Sequence, residues 1–574
     1  MSVLDLRDSN DLSNKKSSLF YETALSSREE FNNFISGFNL KNKSNLDWWS
    51  ENTSSRNTYA SKLFYNFCCI KFVNELFKNR SIDIDEIIVD STALKNILEK
   101  LIKKKFSSSI KVSLKKKWSV QAKLSFKFLY YSYFFFERVL RIFLARIYFR
   151  KIHSSISNKY ILVDTFLSQD FIEKDRWYGD FYDLLTKEDK KEILFVPTIL
   201  SSSFLSTLKI FRQISKSNRN FLVKESYIEI KDLIYAFSHL FRLNKLEIPS
   251  YLIEDIDICD LIREDIWSNR DVFSIYESII NYKFFLNLSK TDIKISLAID
   301  WFEGHCIDKT WNLALKDFFP KVKRIGYQTY RSFPLYLSVF PIESEKETCV
   351  IPDTMAVQGE ACRKDVKIFL PDLNTISVPA FRSKNIWNNH PKNGDISSNI
   401  LVSLPLNQNT SLKILDIIFS LTDEIKVSRN NFLFSIKPHP QNNIEKLLDK
   451  IKIKIPENIL FLDNNENFYK LLEKSTLLIT EASATCLESL ASGVPVIVIK
   501  NKNGFFYDPI PSDTPEIMYR ICSDKLDLLN SINYYCDLSL SDKNKLMKIG
   551  ELIKKNYFEP ISEFGIKKFI NKVE

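Results

Sequence analysis

The sequence predicts an α/β protein: two parallel-sheet units meet at a cleft and follow a helical, strongly basic N-terminal region. Three observations carry this. From about residue 159 onward, short apolar runs alternate with helical patterns, the texture of strand–helix–strand crossovers. Two turns in the second half, Lys437-Pro438-His439-Pro440 and Glu481-Ala482-Ser483-Ala484-Thr485, each follow such a run, where a parallel sheet opens a crevice beyond the carboxyl ends of its strands. The positive charge is concentrated in one block: between Lys103 and Lys151, fourteen Lys/Arg accompany the single acid Glu137, although the whole chain carries only +10.

A chain of 574 residues exceeds what one core serves, and three units are expected, at 1–155, 156–390 and 391–574. With 45% hydrophobic and 26% charged residues the composition is globular, not that of a disordered chain. The nine cysteines are odd in number and lack any Cys-x-x-Cys spacing, which points to a reducing compartment and no zinc. The first residues lack the basic-then-apolar pattern of an export signal, and the aromatic run at 128–136 falls far short of the roughly 20 apolar residues that span a bilayer. A cytoplasmic protein, peripheral on the inner face of the plasma membrane, is expected.

Residues 1–60 are rich in Ser, Asn and Asp and read as mixed helix and loop, and 59–101 shows helical spacing. In the basic block, Lys127, Arg138, Arg141 and Arg146 share one side of a helix, leaving a broad face of Phe, Tyr, Leu and Ile. Such a helix can lie in an interface with its cations on anionic headgroups, or pack against the protein with its lysines solvated. No nucleic-acid-binding module accompanies it, so nucleic acid is not an expected partner.

The first α/β half has strands over 161–163, 193–196 and 221–223, a loop rich in Asp, Trp and Tyr that contains Arg176, a helical stretch over 230–290 and an acidic loop, Glu254-Asp255-Ile256-Asp257. The apolar run at 293–299 then ends in Asp300-Trp301-Phe302-Glu303-Gly304-His305. A carboxylate at a strand end facing a cleft is placed to take a proton from a hydroxyl. Glu303 is the first candidate, because Gly304 lets substrate approach; Asp300 is the second, and His305 is placed to orient the acid. The next strand, 322–327, emerges at the same edge, so that Gln328, Tyr330 and Arg331 are expected to line an acceptor pocket.

After a polar stretch at 381–398, strands at 400–403, 432–436, 459–462, 476–479 and 496–499 alternate with helices, and right-handed crossovers make them a parallel sheet. The terminal helices, near 515–530 and 542–571, are expected to pack back on the first half. Lys437 and His439 offer donors on a turn stiffened by two prolines, while Ser483 and Thr485 precede a helix whose N-terminus favours a phosphate. Glu488 is within reach of a ribose diol. Glu481 and the loop Leu404-Pro405 complete the candidate donor side.

These residues resemble a GT-B glycosyltransferase, in which two Rossmann-like domains face a cleft. Lys437-Pro438-His439-Pro440 followed by Ser483 and Thr485 resembles the His-Pro and Ser/Thr motifs of the CMP-sugar (sialyl and Kdo) transferase group. Glu303-Gly304 resembles that group's acid-acid-glycine motif, with Phe302 in place of the first acid. Bacterial surface-carbohydrate biosynthesis proteins are closer still in texture over about 290–505. The resemblance implies a metal-independent transferase without cofactor, with a nucleotide sugar, best a CMP-activated nonulosonate or Kdo-type sugar, as donor and a lipid-linked glycan as acceptor. It also implies anionic membrane contact through 103–151. CDP-glycerol glycerophosphotransferases share the Lys-Pro-His-Pro turn, so an alditol-phosphate transferase stays open, as does a non-catalytic role in glycan assembly.

Overall fold

The computed structural model describes residues 2–572 apart from 79–83, 106–109, 116–119, 150–158, 201–202, 270, 389–398, 426–431, 443 and 451–454. Both expected domain boundaries, near 155 and 390, and the basic triplet Lys115-Lys116-Lys117 beyond its first residue fall on these excluded segments.

The N-terminal region is more than helices and loops. Strands β1 (Val3–Asp5), β2 (Glu86–Val89) and β3 (Lys111–Leu114) form a parallel three-stranded sheet, packed by helices Asn14–Ser26, Leu63–Lys78 and Thr92–Lys105. The acidic loop lies on this unit as a hairpin of β6 (Leu252–Ile253) and β7 (Ile256–Asp257), reached after β4 (Lys159–Leu167) and β5 (Ile193–Ile199). Its Glu254 and Asp255 pair with Lys105 and Lys104 at 2.7 and 2.8 Å.

The first large sheet adds β8 (Lys294–Trp301), β9 (Lys323–Gln328), β10 (Thr354–Val357) and β11 (Thr375–Ser377), all parallel, in the order β11-β10-β9-β8-β4-β5. The expected strand at 221–223 reduces to one bridge, Phe195 to Phe221, at the sheet edge. The second sheet contains β12 (Asn399–Ser403), β13 (Leu433–Lys437), β14 (Ile459–Phe461), β15 (Leu477–Thr480), β16 (Val496–Ile499) and β17 (Tyr519–Cys522), ordered β14-β13-β12-β15-β16-β17. Counted within this sheet the order is 3-2-1-4-5-6, the doubly wound arrangement of a Rossmann-like domain.

Both sheets are covered on both faces, and the two-residue side-chain period sorts each strand between two cores. Ile400 and Val402 pack with Ile414 and Ile418 on one face, whereas Leu401 packs with Cys486 and Leu490 on the other. In the first sheet Leu162 faces Phe284 and Phe285, while Val163 faces Tyr178 and Phe181. Two doubly wound domains opposed in this way make the GT-B arrangement.

Three connections hold the domains together. The turn Phe381–Trp387 carries the chain from the first to the second, with Phe381 buried. Helix Leu540–Tyr557 brings it back, and Glu559 N–H donates to the Gln358 carbonyl at 2.6 Å. Gly359 permits this crossing, since a Cβ there would lie 2.3 Å from the Tyr557 carbonyl carbon. Helix Glu563–Phe569 then sets Phe569 against Phe181, Tyr327 and Phe381 of the first domain, as expected for 542–571, whereas the stretch near 515–530 forms β17 and a helix that packs on the second sheet. The third connection is the N-terminal region: Leu12 N–H donates to the Lys502 carbonyl and Phe20 stacks on Phe505 of the second domain. On its other side, buried Arg56 pairs with Glu345 at 3.0 Å and donates to the Phe340 carbonyl of the first domain.

Helix Val120–Tyr148 overturns one expectation. Of the four cations expected to share one side, only Arg146 is exposed, and the other three are turned into the protein. Lys127, Arg138 and Arg141 are each 3% exposed or less; Lys127 donates to the Ile266 carbonyl at 2.8 Å, and Arg138 pairs with Glu225 at 3.2 Å and with Glu277. Burial drives the Glu277 carboxyl up, but Arg138, Lys224 and Arg141 hold it down at about 2. The acids that draw the arginines inward lie far away in the chain, so the helix alone does not reveal its inner side.

Candidate functional site

In a doubly wound sheet the crevice opens where the strand order reverses. In the first domain this lies between β4 and β8, whose following loops carry Arg176 and Glu303; in the second it lies between β12 and β15, whose loops carry Leu404-Pro405 and Glu481 to Thr485. Glu303 and the turn of Ser483 and Thr485 thus leave the two sheets at their topological switch points, while His439 follows the neighbouring β13 and Tyr330 the neighbouring β9.

Glu303 is presented rather than buried, with its side chain 28% exposed. Trp301 Nε1–H donates to Oε1 at 2.8 Å, Tyr336 donates its hydroxyl to Oε2 at 3.1 Å, and His305 Nε2 stands 3.5 Å from Oε2 and in contact with the Tyr336 hydroxyl. Burial holds the His305 imidazole below its usual value against the pull of Glu303. The bend is built by Gly304, at φ +68°, where a Cβ would meet the Ser338 carbonyl oxygen at 1.8 Å. Asp308 secures it by accepting from the backbone N–H groups of Glu303 and His305 at 2.9 and 3.0 Å. The carboxylate therefore keeps one orientation.

Asp300 does not share this position. It is 1% exposed, accepts from Asn312 at 3.0 Å, and burial pushes its carboxyl well above the usual range. Period-two alternation turns it into the core. Gln328 is likewise interior at 2% exposed, accepting from Ser332 at 3.3 Å. Tyr330 and Arg331 do reach the crevice, which they line together with Ser383, Ser483 and Glu488. The Tyr330 hydroxyl has no hydrogen-bond partner among the described residues and lies within the field of Glu303.

In the turn after β13, His439 is half-buried. Gln441 N–H donates to its Nδ1 at 3.2 Å, so the neutral ring carries its proton on Nε2, a free donor. Partial burial, then the charges of Arg176, Arg382 and Lys437, push its pKa down to about 4. Lys437 itself is buried, and its amine donates to the Asn464 carbonyl at 2.8 Å. It ties strand-end loops together instead of facing the cleft. Asn442 does the same, donating to the carbonyls of Pro405 and Leu406 at 3.2 and 3.1 Å, while Leu404 is buried and Pro405 half-buried.

Ser483 and Thr485 share a hydroxyl contact of 2.8 Å at the start of helix Thr485–Ala491, which is only seven residues long. Glu488 accepts from Ser383 at 3.2 Å and from Tyr469 at 3.1 Å, and burial raises its carboxyl. Glu481 opens on a neighbouring hollow of about 250 Å³ lined also by Lys413 and Lys500, and burial pushes it up to about 7.

Three residues that the sequence did not single out lie near the candidate residues. Arg176 lies in the loop after β4, its guanidinium over Phe171 and Trp177. Arg382 is exposed on the turn between domains and has no ion pair among the described residues. Tyr59, from the N-terminal region, is 59% exposed, stacks on Tyr507 at 4.4 Å and meets Tyr336 edge-on at 4.9 Å; the charges of Glu481 and Glu303 both reach its ring. An unusual cation in an aromatic loop was the one signal available for Arg176.

No protein-family model matches the chain, and neither does any curated protein sequence. Solved structures overlap it loosely. MnaA of Staphylococcus aureus with UDP is 11% identical, covering 72% of this chain and 98% of its own at a TM-score of 0.40. MurG of Acinetobacter baumannii is 11% identical, covering 72% and 100% at 0.38. The UDP-forming α,α-trehalose-phosphate synthase of Burkholderia xenovorans with glucose-6-phosphate is 10% identical, covering 73% and 100% at 0.41. Likenesses at this level carry neither activity nor substrate to this chain.

Proposed function

We propose that this protein is a nucleotide-sugar-dependent glycosyltransferase, with an acceptor-side domain at 156–390 and a donor-side domain at 391–574. The supporting observation is that one crevice is lined by Tyr330 and Arg331 from the first domain and by Ser483 and Glu488 from the second, with an oriented, exposed Glu303 at the first domain's switch point. Arg176 and Arg382 lie close enough to His439 for their charges to act on it, a concentration of positive charge suited to an anion.

In this reading Glu303 takes the proton of an acceptor hydroxyl as its oxygen bonds to the sugar carbon. The bond from that carbon to the nucleotide phosphate breaks, and its electron pair leaves with the phosphate. His439 Nε2–H, Arg176 and Arg382 stabilise the charge that develops there, the largest contribution in many such reactions. The hydroxyls of Ser483 and Thr485 hold the phosphate, Glu488 holds the ribose, and the base enters the hollow beside Glu481. The best donor is a CMP-activated nonulosonate or Kdo-type sugar and the acceptor a lipid-linked surface glycan such as O-antigen or capsule, met at the inner face of the plasma membrane. No bound metal is assigned a role.

A thermal-shift panel of CMP, CDP, UDP, GDP and dTDP tests the donor. Stabilisation by CMP alone is expected, and a response confined to UDP or GDP overturns the CMP assignment. Glu303→Gln should lower transfer by about 10²- to 10⁴-fold while leaving that nucleotide response intact. Retention of full transfer in this variant would sink the base assignment. Phosphorus appearing in the product would identify an alditol-phosphate transferase instead.

A further inference from the structure

The long helix Val120–Tyr148 is turned inside out relative to an ordinary surface helix. Its inner side carries the buried cations described above, while Leu129, Tyr133, Phe136, Leu140, Phe143 and Ile147 are all about half exposed or more, with Phe136 at 66% and Phe143 at 68%. Their spacing alternates four and three residues, which places them in one stripe along the helix. A stripe of this kind on a monomer marks a surface that something covers.

Two properties identify the occupant. The apolar surface extends beyond one helix: Ile230 and Ile234 of the adjoining helix Ile230–Phe237, Phe241 just beyond it, and Phe204 and Leu205 of the adjoining helix Phe204–Ile214 are exposed as well. The border is cationic along helix Phe204–Ile214 and the long helix, while beside Ile230 the exposed Glu229 and Lys231 pair at 2.6 Å. Helix Phe204–Ile214 contains no acid and exposes Lys209 and Arg212, the long helix exposes Arg146, and its one acid, Glu137, is bound to Arg141. A broad aromatic face with exposed tyrosines, rimmed by cations, fits the headgroup boundary of an anionic bilayer. No helix among the described residues is long and apolar enough to cross a membrane, so the contact is with one leaflet.

We propose that this stripe inserts into the headgroup and upper acyl region of an anionic bilayer, apolar side first, with the buried arginines serving the protein interior. The proposal rests on the membrane-linked acceptor proposed above and replaces the cationic contact expected through 103–151 with an apolar one. Its test is flotation of the full-length chain with phosphatidylcholine vesicles, with and without phosphatidylglycerol.

Binding to both is expected, tighter with phosphatidylglycerol and persisting at high salt. The double substitution Phe136→Ser, Phe143→Ser should lower the partition constant about tenfold or more, because two half-exposed aromatic rings no longer leave water. The melting temperature and nucleotide response should stay unchanged. Binding that is abolished by salt, or that the double substitution does not alter, overturns the proposal. So does a wild-type dimer that ignores vesicles and becomes monomeric in the double variant, which would identify a second copy as the occupant. Vesicle binding by a protein that responds to no nucleotide supports the surface and tells against the transferase reading alone.

Discussion

Tyr59 and Tyr507 stack with ring centroids 4.4 Å apart and planes inclined by 22°, although one belongs to the N-terminal region and the other to the second Rossmann-like domain. The Tyr507 hydroxyl also donates to Thr58 Oγ1 at 3.0 Å, and Thr58 in turn donates to the Leu335 carbonyl of the first domain. An exposed ring held in this way offers a flat apolar face beside Glu303. Tyr59→Ala is therefore expected to raise the KM for the acceptor about three- to tenfold with kcat nearly preserved, and Tyr59→Phe to restore it. Steady-state kinetics with varied acceptor checks the split; an effect confined to kcat contradicts a platform role.

Arg382 and Arg176 depress the His439 imidazole without touching a carboxylate of their own among the described residues. Arg382→Ala and Arg176→Ala should each weaken nucleotide binding by about ten- to a hundredfold, the range for losing a charge-assisted hydrogen bond. Each should also let the His439 pKa rise from about 4 toward its ordinary value. Calorimetry reads the first effect, and an NMR titration of the imidazole reads the second.

Glu481 ionises near 7 because burial opposes its charge more than Lys413 favours it. Below that pH it is neutral, and above it a negative charge appears beside the proposed nucleotide. Nucleotide affinity should fall as pH rises through 7 in the wild type and stay level in Glu481→Gln. Because the folded pKa lies above the ordinary 4.5, ionisation also costs stability as pH rises from about 4.5 through 7. Melting temperatures across that range check this, and the glutamine variant should lose the slope.

Glu345 is 1% exposed between Arg56 and Lys309, and Lys309 also donates to the Ser54 carbonyl at 2.8 Å. Removing this carboxylate by Glu345→Ala leaves two buried cations without their partner. About 3–5 kcal/mol of stability should be lost, read as a lower midpoint in chemical denaturation. A loss below about 1 kcal/mol would mean that the turn carrying Tyr59 is anchored by something else.

The buried strands of the second domain were legible because parallel strands covered on both faces appear as unbroken aliphatic runs, as at 400–402, 477–479 and 496–499. The edge strand Tyr519–Cys522 was read as helix, since a partly exposed edge lacks that run. The β1-β2-β3 sheet joins segments more than eighty residues apart, with no local pattern to connect them. Glu303 and His439 stood out through Gly304 and the flanking prolines. Arg382 and Tyr59 did not, because each acts through a neighbour from another part of the chain. For the helix 120–148, Lys127, Arg138 and Arg141 do share a side while Arg146 is exposed, and the inward side was decided by Glu51, Glu225 and Glu277, which lie far from it.

The two chain crossings adjoin, Ala380 N–H donating to the Glu559 carbonyl at 3.0 Å. The contacts of Leu12, Phe20 and Arg56 therefore brace one lobe against the other independently of the backbone that runs between them.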